Sequence, residues 1–126
     1  MLRQQVLSFA EGEWGIQPDY PWVGTPDSAV LRHPTSGKWF GLIMHVSRKP
    51  LGVAGDGMTD VLNVKVDPLM LPSLLCKPGY LPAYHMNKQH WLTLLLDGSV
   101  SVAEVCFLLR CSHDLTRPAP PARRTP

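Results

Sequence analysis

Leu2, Val6 and Phe9 stand four and then three positions apart, which places them on one stripe of a short helix over residues 2–11 that Gly12 and Gly15 close. The proline-containing "IQPDYPWVGTPDS" reads as an irregular loop. Two apolar runs follow, "SAVLRH" (28–33) and "KWFGLIMHVS" (38–47), and "PTSG" joins them with turn-favouring residues. This pattern predicts an antiparallel hairpin. "RKPLGVAGDGMT" holds three glycines and is expected to be a mobile loop. In "DVLNVKVD" the alternation assigns Leu62, Val64 and Val66 to a buried face and Val61, Asn63 and Lys65 to the other.

Asp67 is a good N-cap, with Pro68 at the first helical position and Val66 and Leu71 placed as a hydrophobic staple. The helix it opens runs through "PLMLPSLLCK", shortened or kinked by Pro72. "YHMNKQHW" reads as a hairpin. Tyr84 and Met86 share a face of its incoming strand, and Asn87, Lys88 and Gln89 form the turn, where Asn87 tolerates positive φ. Trp91, Thr93 and Leu95 share a face of the outgoing strand, and an aromatic as large as Trp91 is expected to anchor the core. Ser101 and Glu104 form an S-x-x-E capping box stapled by Val100 and Val105, with Val102, Val105, Cys106 and Leu109 on the inward face of the last helix. The order α-β-β-β-α-β(β)-α, joined by turns, predicts an α+β domain: an antiparallel sheet of about five strands with helices packed against it.

With 126 residues, 44% hydrophobic and 17% charged, the chain suits one folded domain. The domain is expected over residues 1–116 and a disordered, Pro/Arg-rich tail over 117–126. No apolar run is long enough to span a bilayer and the N-terminus lacks secretory features, so a cytoplasmic protein without a membrane partner is expected. Cys76, Cys106 and Cys111 lack paired motif spacing and read as buried, reduced thiols. Arg117, Arg123 and Arg124 account for three of the twelve Lys/Arg, leaving nine against ten acids and a net charge of −1 for residues 1–116. Bulk charge therefore does not direct the domain to polyanions; any basic patch must be local.

His85 and His90, five positions apart, point to opposite faces of a strand and stand about 140° apart on a helix, so neither regular element lets them share a metal. No serine sits in G-x-S-x-G, and "GVAGDG" lacks the Lys-Ser/Thr of a phosphate loop. Iron binding of the frataxin type needs a carboxylate cluster where only Glu11 and Glu13 stand. The expectation is no enzyme, no cofactor and no metal.

The stretch "PGYLPAYHMNKQHWLTLLLDGSVSVAEVCFLLRCSHDLT" resembles the C-terminal half of the MmcQ/YjbR family, whose members carry Y-H-M-N-K-x-H-W, a D-G-S-V turn and a final helix ending near S-Y-D-L. "VLNVKVDP" is similar to that family's L-K-C-D-P segment, and with "YPW" the resemblance spans nearly all of residues 1–116. Tyr84, His85, Met86, Asn87, Lys88, His90, Trp91, Asp97, Gly98 and Ser99 match the signature. His113 departs from the usual tyrosine, as do the glycine-rich 52–57 loop and the tail. The resemblance implies a secretion-chaperone-like α+β fold, three helices around an antiparallel sheet, and DNA binding through a double wing of β-hairpins.

Three functions follow. The leading one is DNA binding, non-catalytic, salt-sensitive and directed at phosphates. Its candidate residues are Arg32, Lys38, Arg48, Lys49 and Lys65, on or beside the first three strands, and Lys88 on the later turn. Weighed against this, most such charges are simply solvated. The second is a protein-interaction or chaperone-like module that takes an extended peptide at a sheet edge, with Trp14, Trp22 and Trp39 as its apolar surface. The third is a small-molecule pocket lined by Trp39, Tyr84 and Trp91.

Overall fold

The computed structural model describes residues 2–117. In chain order these form α1 (Leu2–Trp14), β1 (Ala29–Arg32), β2 (Trp39–Ser47), β3 (Met58–Lys65), a 3-10 turn (Pro68–Met70) running into α2 (Leu71–Leu74), β4 (Tyr80–Pro82), β5 (Trp91–Leu95) and α3 (Val102–Thr116). The expected order and α+β class are those observed. All five strands lie antiparallel in one sheet, ordered β1-β2-β3-β5-β4. The expected disordered tail, apart from Arg117, lies outside the described residues. Among the described residues no helix is long and apolar enough to cross a membrane.

One face of the sheet carries Leu31, Phe40, Ile43, Leu62, Val64, Leu92 and Leu94, and packs on Val6 and Ala10 of α1 and Val105, Leu108 and Leu109 of α3. Burying each such aliphatic side chain contributes about 1.5–3 kcal/mol, so this layer is the main source of stability. The other face carries Val30, Leu42, Met44, Val61 and Leu95, packed by Trp39, Val46, Leu51, Val53, Leu81, Tyr84 and Met86. Here the reading of β3 needs correction. Val61 and Asn63 are fully buried rather than solvated, because β3 is central and loops cover its second face.

Local corrections have local causes. α1 continues through Gly12 to Trp14, since a single glycine costs only about 1 kcal/mol against the packing of Val6, Ala10 and Trp14. Asp67 does cap, accepting from the Leu69 N–H at 3.0 Å, but its first turn is 3-10 and α2 has only four residues. Only half of the capping box forms. Ser101 Oγ accepts from the Glu104 N–H, while the Glu104 carboxylate is taken by the Tyr80 hydroxyl and by Lys77 at 2.9 Å. The cysteines are not buried: Cys76 is exposed, and Cys106 and Cys111 are half-buried.

Ser112 was not anticipated as an inward residue, yet it is fully buried on α3. Its hydroxyl donates to the Phe40 carbonyl at 2.6 Å and accepts from the Lys65 N–H at 2.8 Å. The β2–β3 register (Leu42 opposite Asn63) would set Phe40 against Lys65, so the hydroxyl bridges the ladder where the strands part. Beyond it, His113 stacks on Trp14 with ring centroids 4.1 Å apart and meets His33 at 4.4 Å. His33 Nε2 and Thr116 Oγ1 are hydrogen-bonded at 2.9 Å. Burial lowers both imidazole pKa values below the ordinary value; Arg117 adds to this at both, Lys38 at His33, and the His33 ring at His113.

Ser112→Ala leaves two buried main-chain groups without their bridge and is expected to cost about 2–4 kcal/mol in denaturant unfolding; a loss below about 0.5 kcal/mol would contradict the bridging role. Because the folded-state pKa values of His33 and His113 are lowered, the folded protein binds fewer protons than the unfolded chain. Their stabilising contribution is complete above the unfolded histidine value of about 6.5 and is lost as pH falls through the folded values. Melting curves from neutral pH downward should show this decline, and His113→Phe should flatten it; superimposable pH profiles would refute the assignment.

Candidate functional site

Residues 83–90 cross the second face of the sheet, and two side chains determine how. Asn63 and Thr93, both fully buried, lie opposite one another on the central strands β3 and β5. Asn63 Nδ2 donates to the Tyr84 carbonyl at 2.8 Å, the Tyr84 N–H donates to Thr93 Oγ1 at 2.8 Å, and the Thr93 hydroxyl donates to Asn63 Oδ1. Both main-chain groups of Tyr84 are thereby satisfied over an apolar floor. The segment is thus a bound strap and not the incoming strand expected, since β4 ends at Pro82.

His85 takes φ 61, the one non-glycine with positive φ among the described residues, in place of Asn87; its ring lies 4.0 Å from that of Tyr84. That reversal sends Met86 back onto the sheet, where it packs with the second cluster. Asn87 forms an Asx turn, its Oδ1 accepting from the Gln89 N–H at 2.8 Å and its carbonyl from the Trp91 N–H at 3.0 Å. Lys88 is exposed at the tip. Trp91 is half-buried at the rim of a cleft and does not join either core cluster, contrary to its expected anchoring role.

Two clefts flank this strap. The larger, about 510 Å³, lies between the sheet and the strap and is lined by Trp22, Trp39, Leu42, Met44, Tyr84 and Met86, with Thr25, Ser28, His45, Val46 and His85 around them. Trp22 and Trp39 meet edge to face at 5.7 Å. The second shares Trp39 and Met86 with the first and adds Lys38, Lys65 and Trp91. The expected pocket of Trp39, Tyr84 and Trp91 is therefore divided, with Trp91 in the neighbouring cleft. At the far margin His45 Nδ1 and Asp60 Oδ1 are 2.9 Å apart, and Arg3 approaches Asp60 at 3.6 Å.

The six candidate cations separate into two groups. Arg32 pairs with Asp19 at 2.6 Å. Arg48 donates from Nε to the Ala54 carbonyl at 2.7 Å and from Nη1 to Asp97 at 3.2 Å, closing the glycine-rich loop onto the D-G-S turn. Asp97 also accepts from the Ser99 N–H at 2.9 Å and from its hydroxyl. Burial works to raise the Asp97 carboxyl, but the Ser99 bonds and the Arg48 guanidinium outweigh it and hold the group below the usual aspartate value. Lys38, Lys49, Lys65 and Lys88 form no ion pair among the described residues. Lys38 and Lys65 wall one cleft; Lys88, with Pro50 and Leu51 next to Lys49, walls a smaller one behind the strap.

Sequence reading missed Asn63 and Thr93; Trp22, expected on a peptide-binding surface, lies on the larger cleft. The signal for Asn63 and Thr93 is a polar residue flanked on both sides by apolar ones in a strand, Leu62-Asn63-Val64 and Leu92-Thr93-Leu94, with an apolar residue at an adjoining same-face position, Val61 and Leu95, where a solvated face would stay polar.

The geometry is that of an α+β domain with helices on one side of its sheet and a strapped, cleft-bearing face on the other. The chain belongs to the YjbR family, whose model matches residues 14–115. The uncharacterized protein YyaQ of Bacillus subtilis is 37% identical over 117 residues, covering 93% of this chain and 99% of that protein. A crystal structure of a Pseudomonas syringae protein is similar at 44% identity and a TM-score of 0.90, over 93% of this chain and 100% of that one. A solution NMR structure from the same organism matches at 41% identity and a TM-score of 0.87, over 99% of this chain and 100% of that one. A Deinococcus radiodurans crystal structure is more distant, with 26% identity and a TM-score of 0.55 over 79% of this chain and 67% of that one.

Thr93→Val removes the hydroxyl that serves both Asn63 and Tyr84, and is expected to cost about 2–4 kcal/mol, with Thr93→Ser restoring most of it. Hydrogen exchange at the Tyr84 amide should quicken in the valine variant; protection equal to wild type would show that the strap is held by something else.

Proposed function

We propose that the protein is a non-catalytic DNA-binding domain whose strapped sheet face and adjoining turns hold the phosphate backbone. The observation that carries this reading is the set of cations without acidic partners among the described residues: Lys38, Lys49, Lys65 and Lys88, all on or beside the strap and the turn at 49–51. No aspartate or glutamate lines the two clefts that share Trp39 and Met86, or the one beside Lys88. A domain whose net charge is close to zero attracts a polyanion only through such a local excess. Arg32 and Arg48 leave the proposed contact set, because their guanidinium groups are already engaged within the fold.

One observation favours a second reading, peptide binding by strand addition. β2 outruns β1, since pairing ends at Ala29 opposite Ile43, and the ladder alternation turns the His45 N–H and C=O outward on that edge beside the larger cleft. Protection of the His45 amide on adding an extended apolar peptide, with no such protection on adding DNA, would favour it.

Binding titrations across salt test the leading reading. Four lysines meeting phosphates predict a slope of log affinity against log salt no steeper than about −3 to −4. Each Lys→Gln exchange should flatten it by about one. Arg48→Gln should instead lower stability and leave the slope unchanged. Absence of binding at low salt, or a slope indifferent to all four lysines, would defeat the proposal.

A further inference from the structure

We infer that the larger cleft receives an unpaired base of a single-stranded nucleic acid while Lys38 and Lys65 hold the adjoining phosphates; this rests on the nucleic-acid reading above and narrows it. The cleft volume of about 510 Å³ accommodates a planar heterocycle, within the roughly 300–1,000 Å³ common to small-ligand sites. Its walls offer the surfaces on which bases stack: the indoles of Trp22 and Trp39, the Tyr84 ring and the thioether of Met86. Trp22 is 38% exposed, so its ring is open to a partner.

Aromatic surface and charge are continuous. Trp39 and Met86 belong to both clefts, and the second supplies Lys38, Lys65 and the Trp91 indole, with Lys65 directly across the ladder from Trp91. Two ammonium groups in the cleft adjoining an aromatic slot suit a chain that alternates phosphate and base. The site is also built before the ligand arrives. Asn63 and Thr93 hold both main-chain groups of Tyr84, so one wall needs no ordering on binding. A duplex meets the lysines equally well, but its bases are stacked internally and do not enter the slot without unpairing. The arrangement therefore selects single strands.

Fluorescence anisotropy at low salt, with strands of roughly 12 nucleotides, distinguishes the two levels of the argument. The probes are oligo-dT, an abasic strand with the same number of phosphates, and a duplex of the same length. Oligo-dT should bind at least about tenfold more tightly than either of the others and quench tryptophan emission, since stacking contributes about 1–3 kcal/mol per base. Trp39→Ala should weaken oligo-dT by about fivefold or more and leave the duplex within about twofold. Trp39 packs against the second cluster, so Trp22→Ala, at an exposed loop position, provides a variant that spares the core, and the abasic comparison uses the wild-type protein. Equal binding of abasic and base-bearing strands, or a duplex that binds as tightly as oligo-dT, overturns base insertion while leaving phosphate contact standing. Failure of all three probes to bind overturns both.

Discussion

The hydrogen-bonded triangle of Asn63, Thr93 and the Tyr84 main chain is the contact on which the strapped side of this protein depends. A sheet with helices on one side only must cover its other apolar face with irregular backbone. Such backbone brings N–H and C=O groups that have no ladder of their own, and each one buried without a partner costs about 1–3 kcal/mol. The solution is to place one amide and one hydroxyl in the middle of the central strands, where they complete each other and the strap together. Ser112 solves the corresponding problem on the helical side, where β2 and β3 separate. In both places a polar side chain replaces missing main-chain pairing.

The strap covers only part of the face, and the position of its fixed point sets the shape of what remains open. With Tyr84 tied down and His85 reversing the chain, Met86 closes on Trp39 and divides one trough into two clefts. Charge follows a similar division of labour. The arginines, whose forked guanidinium groups hold directional bonds, act as internal clamps: Arg48 joins the glycine-rich loop to Asp97, and Arg32 joins β1 to Asp19. Four of the lysines, Lys38, Lys49, Lys65 and Lys88, compact charges on flexible stems, form no ion pair among the described residues, while Lys77 pairs with Glu104. A nearly neutral domain thereby retains unpaired ammonium groups in the clefts that adjoin the aromatic one.

Much of this was legible in the sequence, because helices and strands were marked by period and by caps. Asp67 and Ser101 cap as their neighbours imply, and Val66 with Leu71 and Val100 with Val105 are buried as staples. The errors share a cause. Alternation gives two faces to a strand but does not say whether the second is wet, and β3 was assigned a solvated face that the strap and the glycine-rich loop in fact cover. Trp91 was misplaced for a related reason: its size suggests burial, but its register opposite Lys65 puts it at the rim. The pairing of Arg48 with Asp97, 49 positions away, and of Arg32 with Asp19 depends on tertiary proximity, and no local pattern announces it.

The family signature at 84–91 can now be divided by physical role. Tyr84 contributes its main chain to the triangle and its ring to the cleft wall; His85 contributes a left-handed backbone; Asn87 closes an Asx turn; and the His90 carbonyl accepts from the Val66 N–H at 2.9 Å, joining the turn to the end of β3. These positions build the strap, and a sequence that must fold this way needs them whatever it binds. Lys88 and Trp91 differ: Lys88 is exposed at the tip with no ion pair among the described residues, and Trp91 lines the rim of the second cleft. The signature therefore combines two constraints of separate origin. The larger part specifies a backbone path, and the smaller part, together with Lys38, Lys65 and the Trp22–Trp39 pair contributed from elsewhere in the chain, is what remains available to a ligand.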